Sequence, residues 1–77
     1  MDLAQKAQEA LKKLYDALDE DLYANYPVAD LEKELGLEGM EIHNLLIYMK
    51  DKGWIKQGGT EVVALEIPGI EEAKRIG

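Results

Sequence analysis

Apolar positions recur along this 77-residue chain at two periods, and the change from one to the other divides it into elements. From residue 2 to about 19, Leu3, Ala7, Ala10, Leu11, Leu14, Ala17 and Leu18 fall on one stripe when wound at about 100° per residue. Lys12, Asp16 and Asp19 face away, so the segment reads as an amphipathic first helix. Asp19-Glu20-Asp21 closes it. Acids at a helix C-terminus oppose its dipole, so fraying is expected near Asp19. Residues 20–27, EDLYANYP, form a connector in which Leu22, Tyr23 and Tyr26 are expected to fold back onto the core. Pro27 is placed to open a second helix, where a missing N–H costs nothing. That helix is predicted from about Val28 to Leu35. Val28, Leu31 and Leu35 share a face, Asp30 sits in the dipole-favoured first turn, and Gly36 stops the helix in a left-handed conformation.

A third helix is predicted over roughly Gly39 to Lys52. Ile42, Leu45, Leu46 and Met49 make its inner face. Met40, Asn44, Ile47 and Asp51 lie opposite, flanked by Glu41, His43 and Tyr48. Gly53 stops it, with Lys50 and Lys52 near the carbonyl end. The period then shortens to two. Trp54–Gln57 and Glu61–Leu65 read as a hairpin turned by Gly58-Gly59, with Val63 and Leu65 on one face and Val62 and Ala64 on the other. A further short strand near Tyr26 stays open as a third member of the sheet. A last helix is predicted from Ile67 or Pro68 to the end, with Ile70, Ala73 and Ile76 on its apolar side. No repeat, linker or low-complexity stretch interrupts the chain, so residues 1–77 read as a single α+β domain.

Size and composition narrow what such a domain does. A chain this short buries only about 60% of its unfolded surface, leaving a thin core and no room for a second domain. There is no cysteine, hence no disulfide and no thiolate metal site. No apolar run approaches the roughly 20 residues of a membrane span. The opening MDLAQKAQEALKKL has no apolar signal-peptide core. These features lead to the expectation of a soluble, cytoplasmic domain with no membrane contact. The final KRIG ends inside a periodic helix, which hints that the chain is cut from a longer one. There is no serine, and Thr60 is the only aliphatic hydroxyl, so nucleophilic arrangements have almost nothing to build from. Carboxylates are plentiful, but a domain this small encloses no obvious cleft around them. Gly58-Gly59 lacks the following Lys-Ser or Lys-Thr of a phosphate loop. We therefore expect no catalytic residues and no cofactor. His43 has no neighbour at metal-ligand spacing, and Asp16, Asp19, Glu20 and Asp21 lack the alternating oxygens and central glycine of a calcium loop. No metal site is expected.

Helix, tight turn, helix and hairpin follow one another between Pro27 and Leu65. Ile42, Leu46 and Met49 stand eleven, seven and four residues before Gly53, and the apolar pair Trp54-Ile55 follows. Leu65-Glu66-Ile67-Pro68-Gly69-Ile70-Glu71-Glu72-Ala73 then ends a strand, turns through proline and starts a helix with a Gly-apolar pair. In these respects the chain resembles the winged helix-turn-helix domains of bacterial and archaeal transcriptional regulators, over nearly its whole length. The proline stands one residue from its usual place in that pattern. The resemblance implies DNA binding, with the outer face of helix three in the major groove and the hairpin, as the wing, on the backbone or minor groove. Carried over by position, His43, Asn44, Ile47 and Tyr48 become candidate base readers. Lys50, Lys52, Lys56, Gln57 and Thr60 become candidate phosphate contacts.

The charge works against this reading. Sixteen acids against nine Lys and Arg give a net charge of −7, whereas phosphate neutralisation supplies much of the affinity for DNA. Asn44 has the geometry to pair with adenine. No arginine is available to read guanine, since the only one, Arg75, lies in the last helix. Glu38 and Glu41 repel phosphates at the end of helix three that would meet DNA. The alternatives are a solvated polar face without a ligand and an acidic adaptor that binds protein. Met40, Ile47 and Tyr48 would form an exposed apolar patch, and such patches mark protein partners, unless a loop or the wing covers them. Homodimerisation is a variant, in which Leu3, Ala7 and Ala10 of helix one pack with the last helix across a two-fold axis.

Overall fold

A computed structural model describes residues 2–59 and 61–77. The element order is α1 (Leu3–Ala17), β1 (Tyr26–Pro27), α2 (Val28–Leu35), α3 (Met40–Asp51), β2 (Ile55–Gly58), β3 (Val62–Leu65) and α4 (Ile67–Ile76). The fold is α+β, with four helices and a three-stranded antiparallel sheet of order β1-β3-β2. Among the described residues no helix is long and apolar enough to cross a membrane.

α1 is the organising helix, packing against α2, α3 and α4. It starts where Asp2 Oδ1 accepts the Gln5 N–H at 2.8 Å, satisfying a donor that the first turn otherwise leaves open. It stops at Ala17, two residues before the acid cluster, and the Leu18 N–H still reaches the Leu14 carbonyl at 2.9 Å. Ala7, Ala10, Leu11, Leu14 and Leu18 are buried, as the stripe predicts, whereas Leu3 and Ala17 at its two ends are exposed.

The connector departs from expectation at Tyr23. Leu22 and Tyr26 pack on the core, but Tyr23 is 68% exposed. Its N–H donates to Asp21 Oδ1 at 3.2 Å in a local turn that carries the ring outward. Pro27 stands at the start of α2 as expected, as its N-cap with φ −65° and ψ 131°, and is at the same time the last residue of β1. The missing N–H is tolerated because β1 is an edge strand. Tyr26 stands opposite Val63 and Pro27 opposite Val62, and the Val28 N–H to the Glu61 carbonyl (2.8 Å) carries the ladder into the first residue of α2. The short strand left open near Tyr26 is therefore present.

α2 occupies Val28–Leu35 as predicted, with Val28, Leu31 and Leu35 buried. Gly36 ends it at φ 66°, and the N–H groups of Gly36 and Leu37 both return to the Glu32 carbonyl. α3 buries Ile42, Leu45, Leu46 and Met49. Gly53 stops it at φ 75°, so that the Trp54 N–H returns to the Met49 carbonyl at 3.0 Å and the chain turns into β2. In β3, Val63 and Leu65 face the core. Ala64, on the other side, is also buried, as the smallest side chain of the central strand. α4 begins with Pro68 in its first turn, and Gly69 lies directly on the backbone of Trp54.

Candidate nucleic-acid interface

The 3.6-residue period that buries Ile42, Leu45, Leu46 and Met49 turns the opposite face of α3 to solvent. Met40, His43, Asn44, Ile47 and Asp51 are exposed there, Met40 at 68% and Ile47 at 40%. Neither the hairpin nor a loop covers Met40 or Ile47. Tyr48 is only half-exposed. Its ring meets Trp54 edge-on, with centroids 6.3 Å apart and planes at 69°, a geometry that suits the ring quadrupoles. Of the candidate base readers, His43, Asn44 and Ile47 thus share one free face, and Tyr48 belongs to the seam between α3 and β2.

The lysines do not act as one group. At about 100° per residue, Lys50 falls on the His43 side of α3 and Lys52, its cap residue, on the Tyr48 side. Lys52 Nζ stands 5.4 Å from the centre of the Tyr48 ring, a cation–π placement. Its charge also acts on Glu72 of α4. Glu72 accepts from Arg75 Nε at 2.9 Å and makes a second, very short contact with Arg75 Nη2. That hydrogen bond, helped by the charges of Arg75 and Lys52, holds the Glu72 carboxyl below its usual value. Lys52 and Arg75 are therefore partly compensated, while Lys50 has no ion-pair partner among the described residues. On the hairpin, Lys56 is exposed and Gln57 half-buried, paired across from Ala64 and Val63 respectively. Thr60 lies outside the described residues.

The acids are concentrated elsewhere. Asp16, Asp19, Glu20 and Asp21 cluster at the end of α1, and Asp30, Glu32 and Glu34 lie on α2. Glu34 reaches Lys13 at 3.7 Å. Burial, then Glu34 and Asp30, raise the pKa of the Tyr26 phenol, which stays neutral. From Met40 to Leu65, the span of α3 and the hairpin, Glu41, Asp51 and Glu61 stand against Lys50, Lys52 and Lys56, a formal balance of zero. The global charge of −7 is thus not the local charge of this surface. Glu38 and Glu41, both exposed, still border its other end. No family model, no curated protein and no solved structure matches this chain. Its surface has to be read from its own residues.

Three features were not anticipated from the sequence. Trp54 braces Tyr48. Glu72 of α4, hydrogen-bonded to Arg75, feels the charge of Lys52. A groove of about 300 Å³ opens beside α3, lined by Asp2, Leu3, Lys6, Leu37, Glu41, Asn44 and Leu45. The second and third join residues far apart in the chain, which periodicity does not connect. The alanines offered for homodimerisation are placed otherwise. Ala7 and Ala10 are enclosed by the chain's own core, leaving Leu3 as the exposed apolar residue of that set. Among the described residues, no group of three or more His, Cys, Asp or Glu side chains converges to hold a metal ion.

Proposed function

We propose that the chain is a winged-helix module, like those of transcriptional regulators, that binds DNA through α3 and the β2–β3 hairpin. The order of elements supports this: α2, a tight turn and α3, followed by an antiparallel hairpin and a returning helix. The observation that carries the reading is the free face of α3. His43 and Asn44 stand exposed on it, and from α3 through the hairpin Lys50, Lys52 and Lys56 balance Glu41, Asp51 and Glu61, so this part of the chain lacks the acidic excess of the rest. A helix fits the major groove, where Asn44 would pair with adenine through two hydrogen bonds. Lys50 and Lys56 would meet phosphates and fix the register. Lys52, shared with Tyr48 and Glu72, contributes less. Neutralising about two to three phosphates gives a log–log salt slope of about −2 to −3, shallower than that of strongly basic DNA-binding proteins, so binding is weak and fades as salt rises.

Fluorescence anisotropy with labelled duplexes over a salt series tests the roles separately. Asn44→Ala is expected to cost about 1–3 kcal/mol on the preferred sequence and to relax preference at one base pair. Lys56→Ala should weaken binding to all sequences alike and lower the salt slope by about 1. Wild-type binding that neither change affects would remove both residues from the interface.

The exposure of Met40 and Ile47 favours a second reading, an acidic adaptor that binds protein through the same face. On that reading Ile47→Asp abolishes partner binding at an unchanged melting temperature, because the side chain lies outside the core. Partner binding that survives this substitution would contradict it.

A further inference from the structure

The groove beside α3 combines an apolar floor with an acidic end. Leu3, Leu37 and Leu45 line it, and Leu3 is 42% exposed. Asp2 and Glu41 border it, with Lys6 the only cation among the described lining residues, and Glu38 stands exposed next to Leu37 in the sequence. Among the described residues none of these charges is in an ion pair. Met40, beside Glu41 on α3, extends the exposed apolar surface around the helix. At about 300 Å³ the groove is at the small end of the range for small-molecule pockets. Apolar side chains projecting from one face of a helix match it better, since helix-in-groove recognition seats anchors spaced i, i+3, i+4 and i+7. A net charge of −7 disfavours a second copy of this chain and attracts a basic partner.

We infer that this groove docks an amphipathic helix whose apolar stripe is flanked by basic residues. The inference rests on the second reading above and names the chemistry of the partner. Apolar anchors lie against Leu3 and Leu37, and the basic flank meets Asp2, Glu38 and Glu41. Asn44 lines the same groove, so an occupied groove also withdraws Asn44 from any base it would read.

The test uses a synthetic amphipathic helix of about 15 residues, leucine on one face and lysine on the other, titrated into the isotope-labelled chain. Amide shifts centred on Leu3, Leu37, Met40 and Asn44 are expected. Leu3→Asp and Met40→Asp should each weaken binding by about tenfold or more. Both substitutions add negative charge, so an attraction driven by charge alone would grow tighter. Both replaced side chains are largely outside the core, and an unchanged melting temperature verifies each fold. A peptide with glutamate in place of lysine should bind at least tenfold more weakly. The inference is overturned if the shifts centre on Asp16–Asp21, if the aspartate variants bind as well as wild type, or if the glutamate peptide binds equally. Loss of binding in Ile47→Asp but not in Leu3→Asp would keep the protein-binding face and remove the groove. No shift anywhere on α3 would remove both.

Discussion

Leu11→Ala is expected to bring the domain to the edge of unfolding. Leu11 is fully buried on α1, the helix that touches all three others. Truncating a buried leucine costs about 2–5 kcal/mol, from lost transfer energy and from the cavity left behind. A domain of this length is held by only about 4–12 kcal/mol in total. The substitution therefore removes a large fraction of the stability, and no disulfide constrains the unfolded state in compensation. In urea denaturation the midpoint should fall steeply with little change in slope. Ile47→Ala, on the outer face of α3, should stay within about 0.5 kcal/mol of wild type. Equal effects from the two would mean that the inner and outer faces of the domain are misassigned.

Gly69→Ala is the second large effect, and its cause is steric. A Cβ at Gly69 would lie 2.1 Å from the Trp54 carbonyl oxygen and 2.8 Å from the carbonyl carbon. These are backbone atoms, and that oxygen already accepts the Glu66 N–H at 2.8 Å. The start of α4 has to lift off Trp54, or the turn that leads into β2 has to move. Overpacking of this kind costs about 1–3 kcal/mol, and the closeness of this approach puts Gly69 at the top of that range or above it. For a domain of this size the melting temperature should drop by about 10 °C or more. Glu71→Ala, two residues on and exposed, provides the control on the same helix. A Gly69→Ala protein that melts with wild type would show that α4 is not seated on Trp54 in this way.

Much of this arrangement is legible from periodicity. The stripe on α1, the bounds of α2 and the split of α3 into inner and outer faces follow from a 3.6-residue repeat, and Gly36 and Gly53 mark their stops because the chain there needs positive φ. Periodicity is silent where one element depends on another. Two residues of β1 carry no period, and Pro27, read as a helix start, gives no sign that it also ends a strand. Tyr23 looks like core because it is aromatic, yet a local turn directs it outward. At the candidate site, the free face holding His43, Asn44 and Ile47 could be read in advance. The charge effect of Lys52 on Glu72 could not, since the two stand twenty residues apart in the chain, on the cap of α3 and on α4. The net charge hides an uneven distribution: acids gather at the end of α1 and on α2, whereas α3 and the hairpin together carry three lysines and three acids.

The most direct test of the account is an amide-shift titration of the labelled chain with a short mixed-sequence DNA duplex at low salt, where even non-specific binding is strong enough to register. Shifts centred on His43, Asn44, Lys50 and Lys56, fading as salt is raised, are the expected result. A spectrum that does not move at low salt, or moves only at residues remote from α3 and the hairpin, would contradict the DNA-binding reading.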